Sequence, residues 1–508
     1  MVPANRVVLN TVILYGRMLI TMGITLYSTR LVLNTLGSTD YGIFNLLAGI
    51  ITMLSFLNTA MATSTQRYLS FYQGTDNISM QKRIFTNSFF LHIIIGGVIV
   101  LILEILGLFL FDGVLNIPQN RIEQAKIIYH FMSLTVFFTI ITVPFTGTLI
   151  ANENMLWIAI VNILETLLKL IIAISLYYVT FDKLVFYGFF TAGISIISFF
   201  LFSVYCFRRY KECTFKRVFN VDKTLIKELS FFASWNLFGT FCGLGRNQGL
   251  GILMNLFYGV IINTSYGIAN QVSGQLKFFS ATLLQAINPQ IMKSEGADDR
   301  ERMLRLSMIG SKFSFFLLAL FAIPCIFEME QILQLWLKNV PEYAVVFCDL
   351  ILIATLVNQL TIGLQSAFQA TGKVKVYQAI VGTILLFNLP FSYILLKQGF
   401  PVYSVLICYI VLEAIACMVR VVLLKIIAGL SIKEYMERVL GMTIIPVLLS
   451  IVVCAIFKYK VELPFRFLFT GIVSAITFIT AIYTVGLYKD EKNMLMQIFN
   501  YALNKFRK

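Results

Sequence analysis

Arg17, Arg246 and Lys277 each stand near the middle of an apolar run, and none has an acidic residue at helical spacing on its own run. A charge at bilayer mid-depth costs about 3 kcal/mol or more, so it faces protein or a wetted cavity rather than lipid. Guanidinium forks bind phosphate oxygens bidentately, so these cations suit a pyrophosphate-bearing ligand. The competing reading is that acids on other helices neutralise them as structural pairs. Polar neighbours extend each position. Thr21, Thr25 and Ser28 share approximately the face of Arg17, Asn247 and Gln248 follow Arg246, and Gln271, Ser273 and Gln275 lie close to Lys277. A polar half-helix running from Asn58 and Thr59 through Thr63, Ser64, Thr65 and Gln66 to Arg67 would be expensive against lipid. It reads as cavity lining, with Thr63 and Gln66 as wall residues.

The remaining charges sort by depth. Glu413 lies at mid-depth with Arg420 two turns later, which makes it the best candidate for proton or sodium coupling, or equally the neutraliser of a cation opposite. Glu165 and Lys169 have the favourable i, i+4 order and are expected to pair, with Glu165 a second coupling candidate. Arg30 and Arg67 lie within about two turns of helix ends, where snorkelling to headgroups would place them at the rims of a path. Glu104 and Lys312 also lie nearer helix ends and should reach interfacial water. His92 and His130 are isolated and read as hydrogen-bonded rather than catalytic.

Several chemistries are excluded. The eight cysteines include no C-x-x-C, so neither a metal site nor a disulfide framework is expected. The glycine-rich stretch 239–251 fails the G-x-G-x-x-G spacing and lies inside a membrane run, and no G-x-x-x-x-G-K-[ST] occurs. Its glycines at four-residue spacing (Gly239 and Gly243, Gly245 and Gly249) permit close helix contact, and a bend beside Arg246 is a further option. No catalytic residue and no cofactor beyond a coupled H+ or Na+ is expected, and the chain reads as a non-enzyme.

The elements that position these residues are membrane helices. Of 508 residues, 58% are hydrophobic and only 13% charged, about half the charge that a water-soluble globule uses. The expected class is all-α and polytopic. Apolar runs place about fourteen spans at Val7–Leu36, Tyr41–Tyr72, Ile84–Phe111, Gln124–Ile150, Met155–Thr180, Leu184–Phe207, Leu229–Phe257, Ile262–Ile291, Leu304–Phe327, Tyr343–Ala370, Val374–Leu396, Val402–Ile427, Val439–Phe457 and Phe465–Leu487. The net charge of +15 needs no nucleic acid, since no basic stretch is interleaved with aromatics. It falls in alternate loops, with Lys82, Arg83, Arg208, Arg209, Lys373 and Lys375 among those on one side. The other side holds only Arg121, Lys183, Lys338, Lys397, Lys458, Lys460 and Arg466. The positive-inside rule then puts both termini in the cytoplasm. The first run is too long and too interrupted by arginine for a cleaved signal peptide.

The expected organisation is an N-lobe (1–207), a basic cytoplasmic linker (208–228), a C-lobe (229–427), two further helices (428–487) and a basic amphipathic tail (488–508). In the linker, Asp222 would cap a surface helix with Leu225 and Leu229 toward lipid. In the tail, Leu495, Ile498, Phe499, Ala502 and Phe506 form the apolar stripe. An internal repeat links the lobes. Tyr41-Gly42 is answered by Tyr266-Gly267 (266 − 41 = 225), Gly74 by Gly296 (296 − 74 = 222), Pro118 by Pro341 (341 − 118 = 223) and Ala151 by Ala370 (370 − 151 = 219). Six helices separate the copies, so they share topology, which is a transporter signature.

A first helix ending in Arg-Leu-x-x-x-x-Leu-Gly-x-x-x-Tyr-Gly-Ile-Phe, on a six-plus-six-plus-two plan, resembles the polysaccharide flippases of the multidrug/oligosaccharidyl-lipid/polysaccharide exporter superfamily. The resemblance covers essentially the full chain. It implies two pseudo-symmetric six-helix lobes that rock around a central cavity. It also implies a polyprenyl-pyrophosphate-linked oligosaccharide moved to the outer leaflet of a bacterial inner membrane, for O-antigen, capsule or exopolysaccharide synthesis. A polysaccharide polymerase or glycosyltransferase is the candidate partner, and a monomer the expected state. The alternatives are a cation-coupled multidrug antiporter of the same superfamily and, third, a polytopic glycan polymerase or glycosyltransferase. The antiporter should present unpaired carboxylates. The enzyme should present a large outside loop or interfacial acids.

Overall fold

Long apolar runs leave no partner for backbone amides except their own carbonyls, so the chain becomes helix wherever it enters lipid. The computed structural model describes residues 3–52, 55–111, 117–214, 223–337, 339–460 and 465–493, and among them no strand occurs. The helices are α1 Pro3–Thr52, α2 Ser55–Gly74, α3 Ile78–Phe109, α4 Ile122–Ala151, α5 Met155–Ser175, α6 Lys183–Arg209, α7 Lys223–Tyr258, α8 Val260–Gly296 and α9 Arg300–Phe327. They continue as α10 Met329–Leu337, α11 Ala344–Gln359, α12 Ile362–Thr371, α13 Val374–Leu386, α14 Asn388–Lys397, α15 Ser404–Ala428, α16 Ile432–Tyr435, α17 Met442–Lys460 and α18 Arg466–Ala481. Ten described spans are long and apolar enough to cross a membrane, or eleven if the bent pair α11–α12 counts as one. The three expected spans outside that set are the second, seventh and eighth. The second runs across residues outside the described set, while the seventh and eighth carry the polar residues around Arg246 and Lys277, which lower their hydropathy. The amphipathic tail stripe and Asp222 lie outside the described residues.

The turn chemistry repeats as well as the sequence. Gly37 interrupts α1 at φ +78°, ψ 170°, and Gly259 precedes α8 at φ +82°, ψ −173°, an offset of 259 − 37 = 222. That region of backbone space is essentially closed to residues with a Cβ. Asp76 and Asp298 both take positive φ (298 − 76 = 222). Each is followed by a helix cap of one design, Asn77 accepting from the Met80 amide and Asp299 from the Arg302 amide. Glu153 and Gly372 are likewise left-handed (372 − 153 = 219). These local devices set where each helix ends in both copies.

The chain divides into two compact units, Leu9–Leu237 and Phe238–Lys508 with Met1–Val8, here the N-unit and the C-unit. The division falls within α7 rather than in the basic stretch before it. The first turns of α7 belong to the N-unit. Leu225 and Leu229 are each 2% exposed, the Leu229 carbonyl accepts from Ser64 Oγ at 3.1 Å, and Phe232 packs edge-on to Tyr68. The expectation that Leu225 and Leu229 face lipid is therefore corrected: both are buried, and Leu229 lies against α2.

In the N-unit, α4 packs against α2, α3 and α6. The conspicuous turn after the first span is tied down by Arg121. Its Nε donates to Asp40 Oδ1 at 2.8 Å and its Nη1 to Asp182 Oδ2 at 2.6 Å. Asp182 also accepts the Leu184 and Val185 amides as the cap of α6. One guanidinium thus joins three helix ends.

In the C-unit, α9 packs against α8, α11, α12, α17 and α18. A break of 43° between α11 and α12 carries no proline. The freed groups find other partners: the Leu360 carbonyl accepts from Tyr435 Oη at 2.7 Å and the Gly363 amide donates to Ser311 Oγ at 3.0 Å. A Cβ on Gly363 would fall 2.2 Å from the Ser307 carbonyl oxygen and 2.7 Å from the Ser311 nitrogen, both backbone atoms of α9. Gly363→Ala should destabilise the protein by about 3 kcal/mol, read as a lowered thermal midpoint in detergent. Gly239→Ala meets only the amide head of Gln378, a side chain that can turn away, and should be milder. Equal losses in the two variants would refute this distinction.

Candidate functional site

Arg246 on α7 points at α15. Its Nη1 lies 3.3 Å from Glu413 Oε2, its Nη2 donates to Tyr409 Oη at 3.0 Å, and its Cζ sits 4.1 Å above the Tyr409 ring. Arg420, two turns along α15 from Glu413, donates through Nη1 to Glu413 Oε1 and to Thr361 Oγ1, each at 3.0 Å. Asn358 Nδ2 completes the carboxylate shell at 2.7 Å from Oε1. All three charged groups are nearly closed off from solvent: Arg246 is 7% exposed, Arg420 4% and Glu413 1%. Lys277 on α8 makes no direct ion pair among the described residues but lies within electrostatic reach of Arg246, Glu413 and Arg420. The cluster therefore sets three formal cations against one carboxylate.

The local sequence explains the assembly. Tyr409, Glu413, Cys417 and Arg420 recur every three or four residues, so α15 presents them on one face. Asn358 and Thr361 flank the α11–α12 break, which turns both side chains toward that face. The backbone of α7 is held close by small residues: Gly245 and Gly249 face Leu386 and Leu389 of α13–α14. The Tyr266 hydroxyl on α8 donates to the Asn247 carbonyl at 3.2 Å. Asn247 Oδ1 accepts from Arg246 Nε at 3.3 Å, and Gln248 is exposed.

The predicted residues are thus only partly brought together. Arg246 and Glu413 meet, so the pairing reading holds for Arg246 and the carboxylate is fully engaged. Arg420, Asn358, Thr361 and Tyr409 join them without having been singled out as site residues. The period of α15 carried a signal for Tyr409 and Arg420, whereas nothing local marked Asn358. Arg17 is half-buried in the N-unit and makes no ion pair among the described residues; its carbonyl accepts from Thr21 Oγ1 at 2.9 Å. It is not the positional counterpart of Arg246. Arg17 precedes its repeat glycine by 37 − 17 = 20 residues and Arg246 by 259 − 246 = 13. Seven residues of helix separate the two depths, about 10 Å.

Arg30 is exposed on α1. Arg67 is 8% exposed and lies 4.4 Å from the Tyr68 ring centroid, with Phe71 and Phe232 at 5.2 and 5.3 Å. Rings hold it in place of the headgroups that snorkelling would require. Gln66 is partly buried, and its Nε2 has no partner among the described residues. Thr63 is half-buried. Glu165 and Lys169 form no ion pair among the described residues; instead both line a cavity inside the N-unit with Thr142 and Ser198. Lys312 is 1% exposed and lies 2.5 Å from Glu491, not at an interface with water. His130 Nδ1 meets Glu104 at 2.7 Å, and His92 Nδ1 lies 2.6 Å from the Ser88 carbonyl. Among the described residues no group of side chains could hold a metal ion.

Among the described residues the chain is an all-helical, polytopic arrangement that repeats one turn pattern, with a buried ion cluster in its C-unit. Comparison with solved structures agrees at the level of fold. The chain superposes on MATE in the bent conformation with TM-score 0.74 at 13% identity, covering 84% of this chain and 98% of that one. An outward-facing multidrug resistance MATE family transporter of the MOP superfamily gives TM-score 0.71 at 14% identity, over 84% and 96%. A MOP superfamily transporter from Pyrococcus furiosus, described as having a binding pocket of reverse polarity, gives 0.71 at 13% over the same shares. The MATE transporter ClbM in complex with Rb+ gives 0.68 at 12% over 85% and 96%. No family model and no curated protein matches the chain.

Proposed function

We propose that the chain is a transporter that flips a polyprenyl-pyrophosphate-linked oligosaccharide across a bacterial inner membrane for surface polysaccharide synthesis, with the C-unit cluster as its pyrophosphate-sensing group. The charge balance of that cluster supports the reading. Arg246, Arg420 and Lys277 face Glu413 alone, and Glu413 is already held by two guanidiniums and Asn358. A phosphate oxygen can take over a guanidinium edge from the carboxylate without leaving a buried cation bare. A cationic drug would meet repulsion there. Arg17, with no acid among its described neighbours, would add a second positive element. Both termini would be cytoplasmic, and a polymerase or glycosyltransferase would receive the product.

The second reading is a cation-coupled multidrug antiporter, with Glu413 or Glu165 as the coupling group. The solved neighbours favour it over the flippase: they are MATE transporters, one a multidrug resistance protein and another bound to Rb+. Leaflet assignment of the lipid-linked unit separates the two. In a strain making the cognate glycan, deletion should trap the unit on the cytoplasmic side. Wild type should restore export and Arg246→Gln should restore less than a tenth of it, the ~1.4 kcal/mol equivalent of one weakened phosphate contact or more. Normal glycan with altered drug sensitivity after deletion would replace this reading with the antiporter.

A further inference from the structure

The N-unit contains a cavity of about 420 Å³ between α2, α4, α5 and α6, within the roughly 300–1,000 Å³ of small-molecule sites. Its wall is hydroxyl-rich. Thr135, Thr139, Thr142 and Thr146 on α4 and Thr191 and Ser195 on α6 all line it. Each donates its proton to a carbonyl of its own helix, at 3.0, 2.8, 2.6, 3.0, 2.7 and 2.7 Å respectively. A hydroxyl whose hydrogen is committed to the backbone keeps its lone pairs, so it meets the cavity as an acceptor. Ser198, only 5% exposed, also lines the cavity.

The charges on the wall cancel. Glu165 and Lys169 lie one turn apart on α5 and both line the cavity. A fixed cation attracted by the carboxylate would meet the ammonium one turn away, and an anion would meet the reverse. What remains is a neutral wall, rich in acceptors, with one strong donor, and with Val143 and Phe202 as apolar surface. The complementary ligand is neutral, carries several O–H donors and has a C–H face.

We propose that this cavity binds a carbohydrate-type polyol through its hydroxyl wall, as a sugar subsite separate from the C-unit ion cluster. Identifying that sugar with the glycan of a lipid-linked cargo rests on the flippase reading; binding of the sugar does not. Ser198 and Thr142 are the residues whose oxygens most directly set it, because both are buried and on facing helices of the cavity.

The test uses the full-length protein in nanodiscs, with glucose and N-acetylglucosamine as probes and sodium chloride and pyrophosphate as comparisons. Either sugar at millimolar concentration should raise the thermal midpoint by ligand linkage and should be retained in equilibrium dialysis. The Thr142→Val, Ser198→Ala double variant should lose both signals; Thr191→Val serves if that variant does not fold. Glu165→Gln together with Lys169→Met keeps the wall neutral but removes its one strong donor, and should weaken the sugar effect without abolishing it. Absence of a sugar effect in wild type overturns the proposal. So does a sodium effect that Glu165→Gln abolishes while sugars do nothing, which would make the cavity a cation site. The cargo reading fails separately, when deletion leaves the glycan normal although sugars still bind the purified protein.

Discussion

Glu413→Ala is expected to destabilise the protein by about 3–5 kcal/mol, the usual consequence of stripping the counter-charge from a buried pair. The substitution leaves Arg246 and Arg420 facing each other with no carboxylate between them, at 7% and 4% exposure. It also strands the Asn358 amide and leaves Thr361 as the one oxygen partner of Arg420 Nη1. Glu413→Gln keeps the shape and one acceptor but not the charge, and should recover part of the loss. Arg420→Gln in the same chain should recover more, because it removes one of the two unpaired cations. A double-mutant cycle on thermal or denaturant unfolding in detergent measures the coupling. Additive losses would mean that the carboxylate and Arg420 do not share a buried ion pair.

The second large effect is in the N-terminal half of α9. Lys312 Nζ lies 2.5 Å from Glu491 Oε2, with the residues 1% and 5% exposed. Glu491 also accepts the Tyr488 amide at 2.9 Å. Beside this pair, Asp490 meets Arg305 and Arg438, and Tyr488 lies between Arg438 and Lys312 at 4.8 and 5.5 Å from its ring centroid. Three residues after the last span, Tyr488, Asp490 and Glu491, therefore fasten it to α9 and to the segment before α17. Lys312→Met alone buries an unpaired carboxylate and should cost about 3–5 kcal/mol. Adding Glu491→Gln should return most of that, since the pair's own net worth is small once desolvation is counted and the amide acceptor for Tyr488 survives. If Lys312→Met is harmless in urea or thermal unfolding, the pair is not buried and the fastening does not exist.

Much of the architecture was readable before any coordinates. Apolar runs place the spans because a helix in lipid satisfies its own backbone, a rule that needs no tertiary information. The repeat was readable because turn residues are chosen by local conformation. Gly37 and Gly259 share one φ/ψ region that side chains forbid, and Asn77 and Asp299 cap helices by the same hydrogen bond. The break at Leu360–Thr361 was not readable. No proline marks it, and it persists because Tyr435 and Ser311, far along the chain, satisfy the groups it exposes.

The site divides along the same line. Composition and periodicity alone determined that cations lie inside membrane runs, that Tyr409, Glu413 and Arg420 share a face, and that nucleotide and cysteine-metal chemistry have no motif here. Which cation is paired was decided only by packing. Arg246 and Glu413 are 167 residues apart, and the face of α7 that meets α15 follows from how closely Gly245 and Gly249 let α13–α14 approach. Lys312 appeared near enough to a helix end to reach water, until the segment at Glu491 covered it. Arg67 appeared free to snorkel, until Phe232 and its neighbours enclosed it. Hydropathy is a property of each residue and its near neighbours, so the sequence determines depth and secondary structure. Charge compensation depends on which surfaces come within about 4 Å, where a counter-charge offsets much of the desolvation cost, and only the tertiary structure decides that.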